Sequence, residues 1–291
     1  MPLHRDLRRR FARIESKHPD ACHYLDWKPH GDPQHPVQQC IRLCVLPRAL
    51  LRTLGRPRRS RGLGPGNRIL KNYLSFSFSR AVFLTERDVD QTAPSNLPLV
   101  FDDDRCLFNT GLYTRRYETI YGLFEPNTKP DARQRWFLKG FFKESDPMLV
   151  SFEYLPCRVR FAEDPSELVF DYRLPIRSNI DHILGDEENL TRIPASLMGE
   201  GNSLLLRRAF EGAVVEAARR AAANYTLAVP QFYGGRIQLL LPLCLTGNKP
   251  ELALTIQRED GFYAARTCLT LDMAYNNARL ICRPETSWIK R

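Results

Sequence analysis

Apolar residues recur at helical spacing along one long stretch of the C-terminal half. A Gly-rich turn leads into Ser203, and the helix predicted from there reaches Tyr225. Its apolar stripe consists of Leu206, Phe210, Ala213, Ala217 and Ala221. Four strand-like runs follow, at residues 227–232, 237–245, 252–257 and 262–271, and Gly234-Gly235 and Gly247-Asn248 are typical hairpin turns between them. This order predicts an α+β fold, with a long helix packed on a largely antiparallel sheet.

The stretch from 266 to 281 passes from a buried-strand pattern into a short polar helix. We expect Asp272 to supply the N-cap oxygen of that helix. At helical spacing, Asp272, Asn276 and Arg279 share one face with Tyr275 alongside, and the opposite face is apolar. A short C-terminal helix with so polar a face is unusual, and Trp288 beyond it is expected to dock on the folded body.

The preceding part of the chain has a less decisive pattern. Residues 70–83 fit either a helix or a strand, and residues 113–124 fit a helix or a half-buried strand. Alternation predicts strands at 136–142, 157–161 and 168–172. Residues 179–192 are expected to form loops or short turns, where functional side chains are often presented.

Charge divides the 291-residue chain into two parts. Residues 1–70 carry 15 Lys and Arg against 5 Asp and Glu, whereas the other 221 residues are balanced at 28 against 28, so the net charge of +10 belongs to the N-terminal part. We therefore predict a basic, poorly ordered leader at 1–67 and a single globular domain at 68–291. The neutral domain lacks the overall basic excess of many nucleic-acid-binding proteins.

The leader has two further features. Residues 3–14 and 41–54 fit short cationic amphipathic helices, which would bind phosphate or another anionic surface. Six potential zinc ligands are Cys22, His23, His30, His35, Cys40 and Cys44, but their loose spacing and the absence of any CxxC pair argue against a zinc site. No metal site is predicted. The other five cysteines are expected to be small buried residues of a cytoplasmic protein.

No signal peptide is evident, since no apolar stretch follows Arg5 to Arg10, and no apolar run is long enough to cross a membrane. GxSxG, HExxH and Walker signatures are also absent. Several polar residues instead lie within apolar segments, where each would cost about 1–3 kcal/mol if buried without a partner. They form either an internal network or a ligand pocket.

The pocket hypothesis assigns roles to particular residues. The candidate ligand-binding residues are Asn109, Thr110, Arg192, Asn224, Tyr225, Gln231, Tyr233, Tyr275, Asn277 and Arg279. Amides and tyrosines would contact a base or sugar, and Arg279 with Arg192 would bind phosphate, which guanidinium groups hold bidentately. Asp272 and His182, the only histidine beyond the leader, are the acid/base candidates, and Asp272 could also bind a metal. An ordinary hydrogen-bonded role for His182 is the alternative.

Several motifs resemble an uncharacterised bacterial family of domains of unknown function. They are FNTGL (108–112), YETIYGLFEPN (117–127), DHIL (181–184), RIP (192–194), NYTLAVPQFY (224–233), LLLPLCL (239–245) and TLDMAYNNARLI (270–281). The resemblance covers residues 68–290 and leaves the leader out. Domains of that family are sometimes joined to cold-shock-like nucleic-acid-binding or phosphopeptide-binding modules, which implies a setting near RNA or signalling but brings no activity or catalytic residues.

We therefore expect a nucleotide- or RNA-related protein with a polar pocket beside the C-terminal helix, a candidate processing enzyme. The alternatives are a non-catalytic RNA-binding module, with exposed aromatics beside basic side chains, and a protein-interaction scaffold with an exposed apolar patch. Nucleotide or RNA is the expected partner, with no membrane. The sequence does not define a cofactor, a reaction or an oligomeric state.

Overall fold

The computed structural model describes residues 67–102, 104–128, 136–199 and 202–289. The predicted leader, its two cationic helices and its zinc ligands lie outside these ranges. The boundary between two compact units falls between Arg160 and Phe161. Each unit is described by itself below.

The first unit begins with helix α1 (Arg68–Asp88). The pattern at 70–83, which fits helix or strand, is helical because Leu70, Leu74, Ala81 and Leu84 recur on one buried face. From this helix, Phe78 packs against Phe124, with ring centroids 4.8 Å apart, and against a second ring of the sheet, Phe108. The helix is thereby fixed on the neighbouring strands.

Four antiparallel strands follow in the order β1-β2-β3-β4. They are β1 (Leu99–Asp102), β2 (Arg105–Tyr113), β3 (Thr119–Pro126) and β4 (Trp136–Lys143). Leu107 and Leu123 directly precede Phe108 and Phe124 and therefore face the other side of the sheet. There they pack with Leu149 and Phe152. The unit therefore holds apolar contacts on both faces of its sheet.

Two predictions in this unit are resolved by the strand positions. Residues 113–124 form a tight turn and the strand β3 rather than a helix. The strand predicted at 157–161 is wrong, since those residues join no sheet. There, Cys157 donates its backbone N–H to Leu97 O, and Arg160 bonds through its side chain to Asp88. Isolated hydrogen bonds of this kind hold the segment in place without pairing it to a strand.

The second unit contains the remaining strands and four helices within the described ranges. In chain order these are β5 (Ile176–Arg177), α2 (Ile180–Gly185), α3 (Glu187–Leu190), α4 (Ser203–Ala223), β6 (Val229–Tyr233), β7 (Arg236–Leu243), β8 (Leu252–Glu259), β9 (Phe262–Thr270) and α5 (Leu271–Ala278). The sheet order is β5-β9-β8-β7-β6, with β6 to β9 antiparallel and β5 parallel to β9. The α+β fold with a long helix, an antiparallel meander and a short C-terminal helix is confirmed.

The predicted helical stripe of α4 is buried as expected, and the helix contacts β7. The β6–β7 hairpin turns at Gly234 and Gly235, whose φ angles are 57° and 79°. Both residues lie in the left-handed region that a two-residue hairpin turn requires and that glycine adopts without strain.

Helix α5 packs on one face of this sheet. Its Ala274 and Ala278 join Val229, Leu240 and Ala253 in one buried cluster. The docking predicted for Trp288 is confirmed, because its ring packs on this cluster and its Nε1 donates to Leu227 O at 2.8 Å. The small alanines let the short helix approach the strands closely.

Three local predictions in this unit need correction. The N-cap of α5 is Thr270, whose hydroxyl accepts from Met273 N, and Asp272 lies in the first turn instead. The strand predicted at 168–172 is wrong: residues 165–168 form a 3-10 turn, capped by Asp164, and residues 169–172 join no sheet. Residues 179–192 contain the short helices α2 and α3, with Asn179 as the N-cap of α2.

Candidate functional site: an amide ladder across the second sheet

Carboxamide side chains form a continuous hydrogen-bonded row on the face of the second sheet that carries α5. From α5, Asn277 Nδ2 donates to Gln231 Oε1 at 3.1 Å, and Gln231 Nε2 donates to Gln238 Oε1 at 2.9 Å. The row continues from Gln238 Nε2 to Gln257 Oε1 at 3.2 Å and from Gln257 Nε2 to Glu259 Oε1 at 2.9 Å. We call these five residues the amide ladder.

Strand register explains how the ladder forms. Gln231 on β6 is the direct cross-strand partner of Gln238 on β7. Adjacent strands lie about 4.8 Å apart, a separation that extended glutamine side chains on one face bridge with a single hydrogen bond. All members point in one direction, with each N–H aimed toward the carboxylate of Glu259. The row is therefore a polarised chain that ends on an anion.

Burial varies along the ladder. Gln231 and Gln238 are 2% and 6% exposed, whereas Gln257, Glu259 and Asn277 are half-buried. The middle of the ladder is therefore enclosed, and both of its ends are open in part. A ligand that meets this row contacts the ends first.

The α5 end adds an aromatic–cationic pair. Arg279 Nη1 donates to the Tyr275 hydroxyl at 3.0 Å, and the guanidinium carbon lies 5.6 Å from the centre of the Tyr275 ring. Both residues are half-buried, and Asp272 in the first turn is exposed. Tyr275 on α5 and Arg279 directly after it, predicted from the sequence as neighbours, thus lie together, and Asn277 of the same helix bonds to Gln231.

The opposite end of the ladder is cationic. Glu259 accepts a hydrogen bond from Arg266 and lies 3.9 Å from Arg236 Nη1. The two arginine side chains are 47% and 67% exposed. Exposed guanidinium groups thereby flank the one carboxylate on which the ladder terminates.

Arg192 is bonded within a separate polar cluster on the outer edge of β9. Its Nη1 donates to Cys268 O at 2.6 Å and to Asn189 Oδ1 at 3.0 Å, and its Nη2 bonds to Glu188. Asn189, which is 3% exposed, also accepts from the Thr267 hydroxyl at 2.6 Å and from Cys268 N at 3.4 Å. Side chains of α3 thus take the place of a further strand on this edge.

His182 and its neighbours lie on α2. The His182 side chain is exposed, and its backbone N–H donates to Asn179 Oδ1 at 3.2 Å. Asp181 bonds to Arg207 on α4 at 2.6 Å. His182 and Asp272 thus lie on two different helices, and their acid/base role stays a prediction.

Three more predicted residues lie at the exposed ends of elements. Asn224 caps the turn after α4, where its Oδ1 accepts from Thr226 N and Thr226 Oγ1, and the adjacent Tyr225 is 72% exposed. Tyr233, at the end of β6, is 43% exposed. Their placement at the surface leaves both phenols available to a partner.

Asn109 and Thr110 lie in the first unit, in an irregularity of β2. The register between β2 and β3 shifts between Asn109 and Leu112. Asn109 Nδ2 donates to Pro156 O at 2.9 Å, and Asn109 Oδ1 accepts from Gly111 N at 2.9 Å. The asparagine therefore supports the bulge from inside, since it is only 7% exposed.

The same bulge fully buries Thr110. Its hydroxyl donates to Ile120 O at 2.6 Å, and its backbone oxygen accepts from the Tyr73 hydroxyl at 2.9 Å. Burial raises the pKa of Tyr73, which keeps the phenol protonated as a donor. Most of the FNTGL motif thus has a direct structural role. Since the amide ladder belongs to the other unit, the meeting of both sets in one pocket stays a prediction.

The sequence interpretation missed Gln238, Gln257 and Glu259 as members of the site. A signal for two of them is present: Gln238 interrupts an apolar run between Ile237 and Leu239, and Gln257 directly follows Ile256 at the end of the next run. Pairing these strands in register would have aligned both with Gln231.

Two features are absent from the described ranges. None of their helices has the length and apolar content that crossing a bilayer requires. No group of three or more His, Cys, Asp or Glu side chains in these ranges is arranged to hold a metal ion.

The chain belongs to the family described as Domain of unknown function (DUF3825), whose model matches residues 60–288. The match spans both units and confirms the resemblance to a family of unknown function that the motifs indicated. No curated protein and no solved structure matches the chain.

Proposed function

We propose that this protein binds a nucleotide, either free or within RNA, at the α5 end of the amide ladder. The observation that carries the proposal is the row of four carboxamides in one hydrogen-bonded line, which ends on the helix that also carries Tyr275 and is followed directly by Arg279. The five described cysteines are free thiols, which supports the accompanying proposal of a cytoplasmic protein.

Carboxamides match the edges of nucleobases. A carboxamide has two N–H donors and an oxygen with two lone pairs, and each ladder bond uses one N–H and one lone pair. The second N–H and second lone pair form a donor–acceptor pair, which suits adenine N7 and N6. Asn277 is the member best placed for this contact, because it is half-buried at the open end of the row.

The neighbouring side chains suit the rest of a nucleotide. The Tyr275 hydroxyl accepts from Arg279 and keeps its own hydrogen to donate to a base or sugar, and Arg279 keeps further N–H groups for phosphate. Arg192 is engaged by three protein groups at the β9 edge, so the phosphate contact in this proposal rests on Arg279.

A purely structural ladder is the competing explanation. Three glutamines in register would specify the pairing of β6, β7 and β8, because any slip would bury their amides unpaired. Apolar residues at these positions would pack on the same cluster as Leu240 and Val229 without that requirement. The two explanations differ in one measurable result: a nucleotide site binds added nucleotide, whereas a purely structural ladder does not.

Calorimetric titration of the full chain with each of the four ribonucleoside monophosphates distinguishes them. We expect saturable binding with a preference for AMP, and native mass spectrometry of the freshly purified protein should show a co-purifying nucleotide or RNA. Asn277→Leu and Arg279→Gln should each weaken binding about 10-fold or more, as expected for loss of a good base or phosphate contact of about 1–3 kcal/mol.

Matched controls are the exposed Asn72→Leu on α1 and Arg219→Gln on α4, which should bind as the unaltered chain does. Circular dichroism of every variant reports whether the fold is retained. The proposal is refuted if no monophosphate binds, or if folded Asn277→Leu and Arg279→Gln variants bind as tightly as the unaltered chain.

A further inference from the structure

The hairpin between β2 and β3 presents exposed aromatic and basic side chains at one end of the first unit. Tyr113 is 46% exposed and Tyr117 is 86% exposed, and the two arginines between them, Arg115 and Arg116, are exposed as well. Neither tyrosine contributes much to a core, so packing does not explain two large rings at this position.

The turn of this hairpin is well defined by hydrogen bonds. Tyr117 N donates to Thr114 O at 3.0 Å, and Thr114 N donates to Glu118 O at 2.9 Å. The Thr114 hydroxyl oxygen accepts from Glu118 N at 3.1 Å and from Arg116 N at 3.3 Å. The side chains at the tip therefore project from an ordered turn.

Tyr117 has a backbone conformation that disfavours tyrosine. Its φ is 63°, at the position after a turn where hairpins usually place glycine. A residue with a Cβ is strained there, and a ring that is 86% exposed gains little burial energy in return. Strain at an exposed aromatic residue points to a contact made by the ring itself.

Arg158 extends the basic character from the tip along β2. An added Cβ on Gly111 would lie 3.2 Å from Arg158 Nε, which places this exposed guanidinium beside the strand two residues from Tyr113. The pKa of Tyr73 responds to both neighbours, since the Arg158 charge lowers it and Tyr113 raises it, in addition to the larger rise caused by burial. Arg158 and Tyr113 therefore lie close to the same hydroxyl.

We propose that Arg158, Tyr113, Arg115, Arg116 and Tyr117 form a basic–aromatic strip that binds single-stranded nucleic acid. Exposed rings stack on unpaired bases of any sequence, and arginines between them contact the phosphates. An acidic protein segment would satisfy the arginines but would leave the two exposed rings without partners. The strip lies in the first unit, so this proposal does not depend on nucleotide binding at the amide ladder.

Fluorescence anisotropy of the full chain with labelled oligomers of about 12 nucleotides tests the proposal. The probes are oligo(U), oligo(dT) and an abasic DNA oligomer with the same phosphates as oligo(dT). We expect oligo(U) and oligo(dT) to bind and the abasic oligomer to bind at least about 5-fold more weakly than oligo(dT), since it has no base to stack. The ratio of the oligo(U) affinity to the oligo(dT) affinity shows whether RNA or DNA is preferred.

Tyr117→Gly is the decisive variant, because glycine accepts the positive φ and removes the ring. Its melting temperature should be unchanged or higher, whereas oligo(U) affinity should fall about 5-fold to about 100-fold, the range for one stacked base. Tyr172→Gly removes another tyrosine that is 69% exposed and serves as the matched control with no expected change in affinity.

The arginines are tested through salt dependence. For the Arg115→Gln/Arg116→Gln pair, the slope of log affinity against log salt should become shallower by about 1.4, since each lost phosphate contact on a single strand contributes about 0.7. Arg208→Gln/Arg219→Gln on α4 is the matched control, with an unchanged slope. Differences between variants cancel any contribution from the basic N-terminal residues.

Three outcomes would overturn the proposal. The first is that Tyr117→Gly binds oligo(U) as tightly as the unaltered chain does. The second is that the abasic oligomer binds as tightly as oligo(dT), and the third is that an acidic peptide displaces oligo(U) at equal charge concentration. Because the ladder is tested with mononucleotides and variants of the second unit, each proposal fails or stands separately.

Discussion

Replacement of Gly111 by alanine tests the bulge that organises the FNTGL segment. Gly111 has φ +66°, and a Cβ there would stand 2.6 Å from the Tyr73 hydroxyl oxygen. The left-handed conformation costs about 1–2 kcal/mol for alanine. Displacement of the phenol would also remove its hydrogen bond to Thr110 O, worth about 0.5–1.5 kcal/mol. We expect Gly111→Ala to lower the free energy of unfolding by about 1.5–3.5 kcal/mol, the sum of the two contributions.

Gly234→Ala separates the two contributions. Gly234 has φ +57° and no atom within 4 Å of an added Cβ, so only the conformational part, about 1–2 kcal/mol, should be lost. Urea unfolding followed by circular dichroism measures both variants. A Tyr73→Phe/Gly111→Ala double variant should lose less than the sum of its single changes, because the clashing hydroxyl is gone. Equal losses for the two glycine variants, together with additivity in the double variant, would refute the proposed close contact.

Two further predictions concern the second unit. Asn189→Ala leaves the Thr267 hydroxyl, Cys268 N and one Arg192 N–H without their buried acceptor. Urea unfolding should therefore show the free energy of unfolding lowered by about 3–5 kcal/mol. A decrease below about 1 kcal/mol would contradict the role of Asn189 at the β9 edge. The Arg173 guanidinium lowers the pKa of Asp171 to about 2, so this interaction stabilises the fold fully above the ordinary aspartate pKa near 4 and is lost as pH falls through about 2. Arg173→Ala should raise the carboxyl pKa of Asp171 in a pH titration followed by NMR, and an unchanged pKa would contradict the assignment.

The stripe of α4 was predictable because one side of that helix is buried. The hairpin of β6 and β7 was predictable from its two apolar runs and the Gly234-Gly235 turn between them, although β7 is buried on both faces. The strands predicted at 157–161 and 168–172 failed for a different reason. Alternation there is satisfied by separate contacts, such as Cys157 N with Leu97 O, and no partner strand is available. A local pattern cannot report whether a second strand lies alongside.

The candidate site was predictable at the helix and not in the sheet. The closeness of Tyr275 and Arg279 follows from helical spacing alone, because residues four positions apart share a face. Asn277 lies two positions from each, and its bond to Gln231 does not follow from that spacing. The ladder requires Gln231, Gln238 and Gln257 to align across strands that are separated in sequence by loops. Such alignment depends on register, which is set by tertiary packing. Asn109 and Thr110 were proposed as ligand-binding residues; both are buried, and their bonds support a bulge.

Asn189 on α3 and Arg192 just after this helix also affect whether copies of the protein aggregate through their sheet edges. β9 extends beyond the two-residue β5, and a bare rim of backbone amides and carbonyls would recruit a strand from another molecule. Asn189 and Arg192 occupy the N–H and C=O of Cys268 there, and the other rim, β6, carries Pro230, which has no N–H to offer. Because both edges of this sheet are blocked, strands of other molecules cannot readily pair with it. The native protein should therefore aggregate less at high concentration than a variant that lacks either the Asn189 and Arg192 bonds or Pro230.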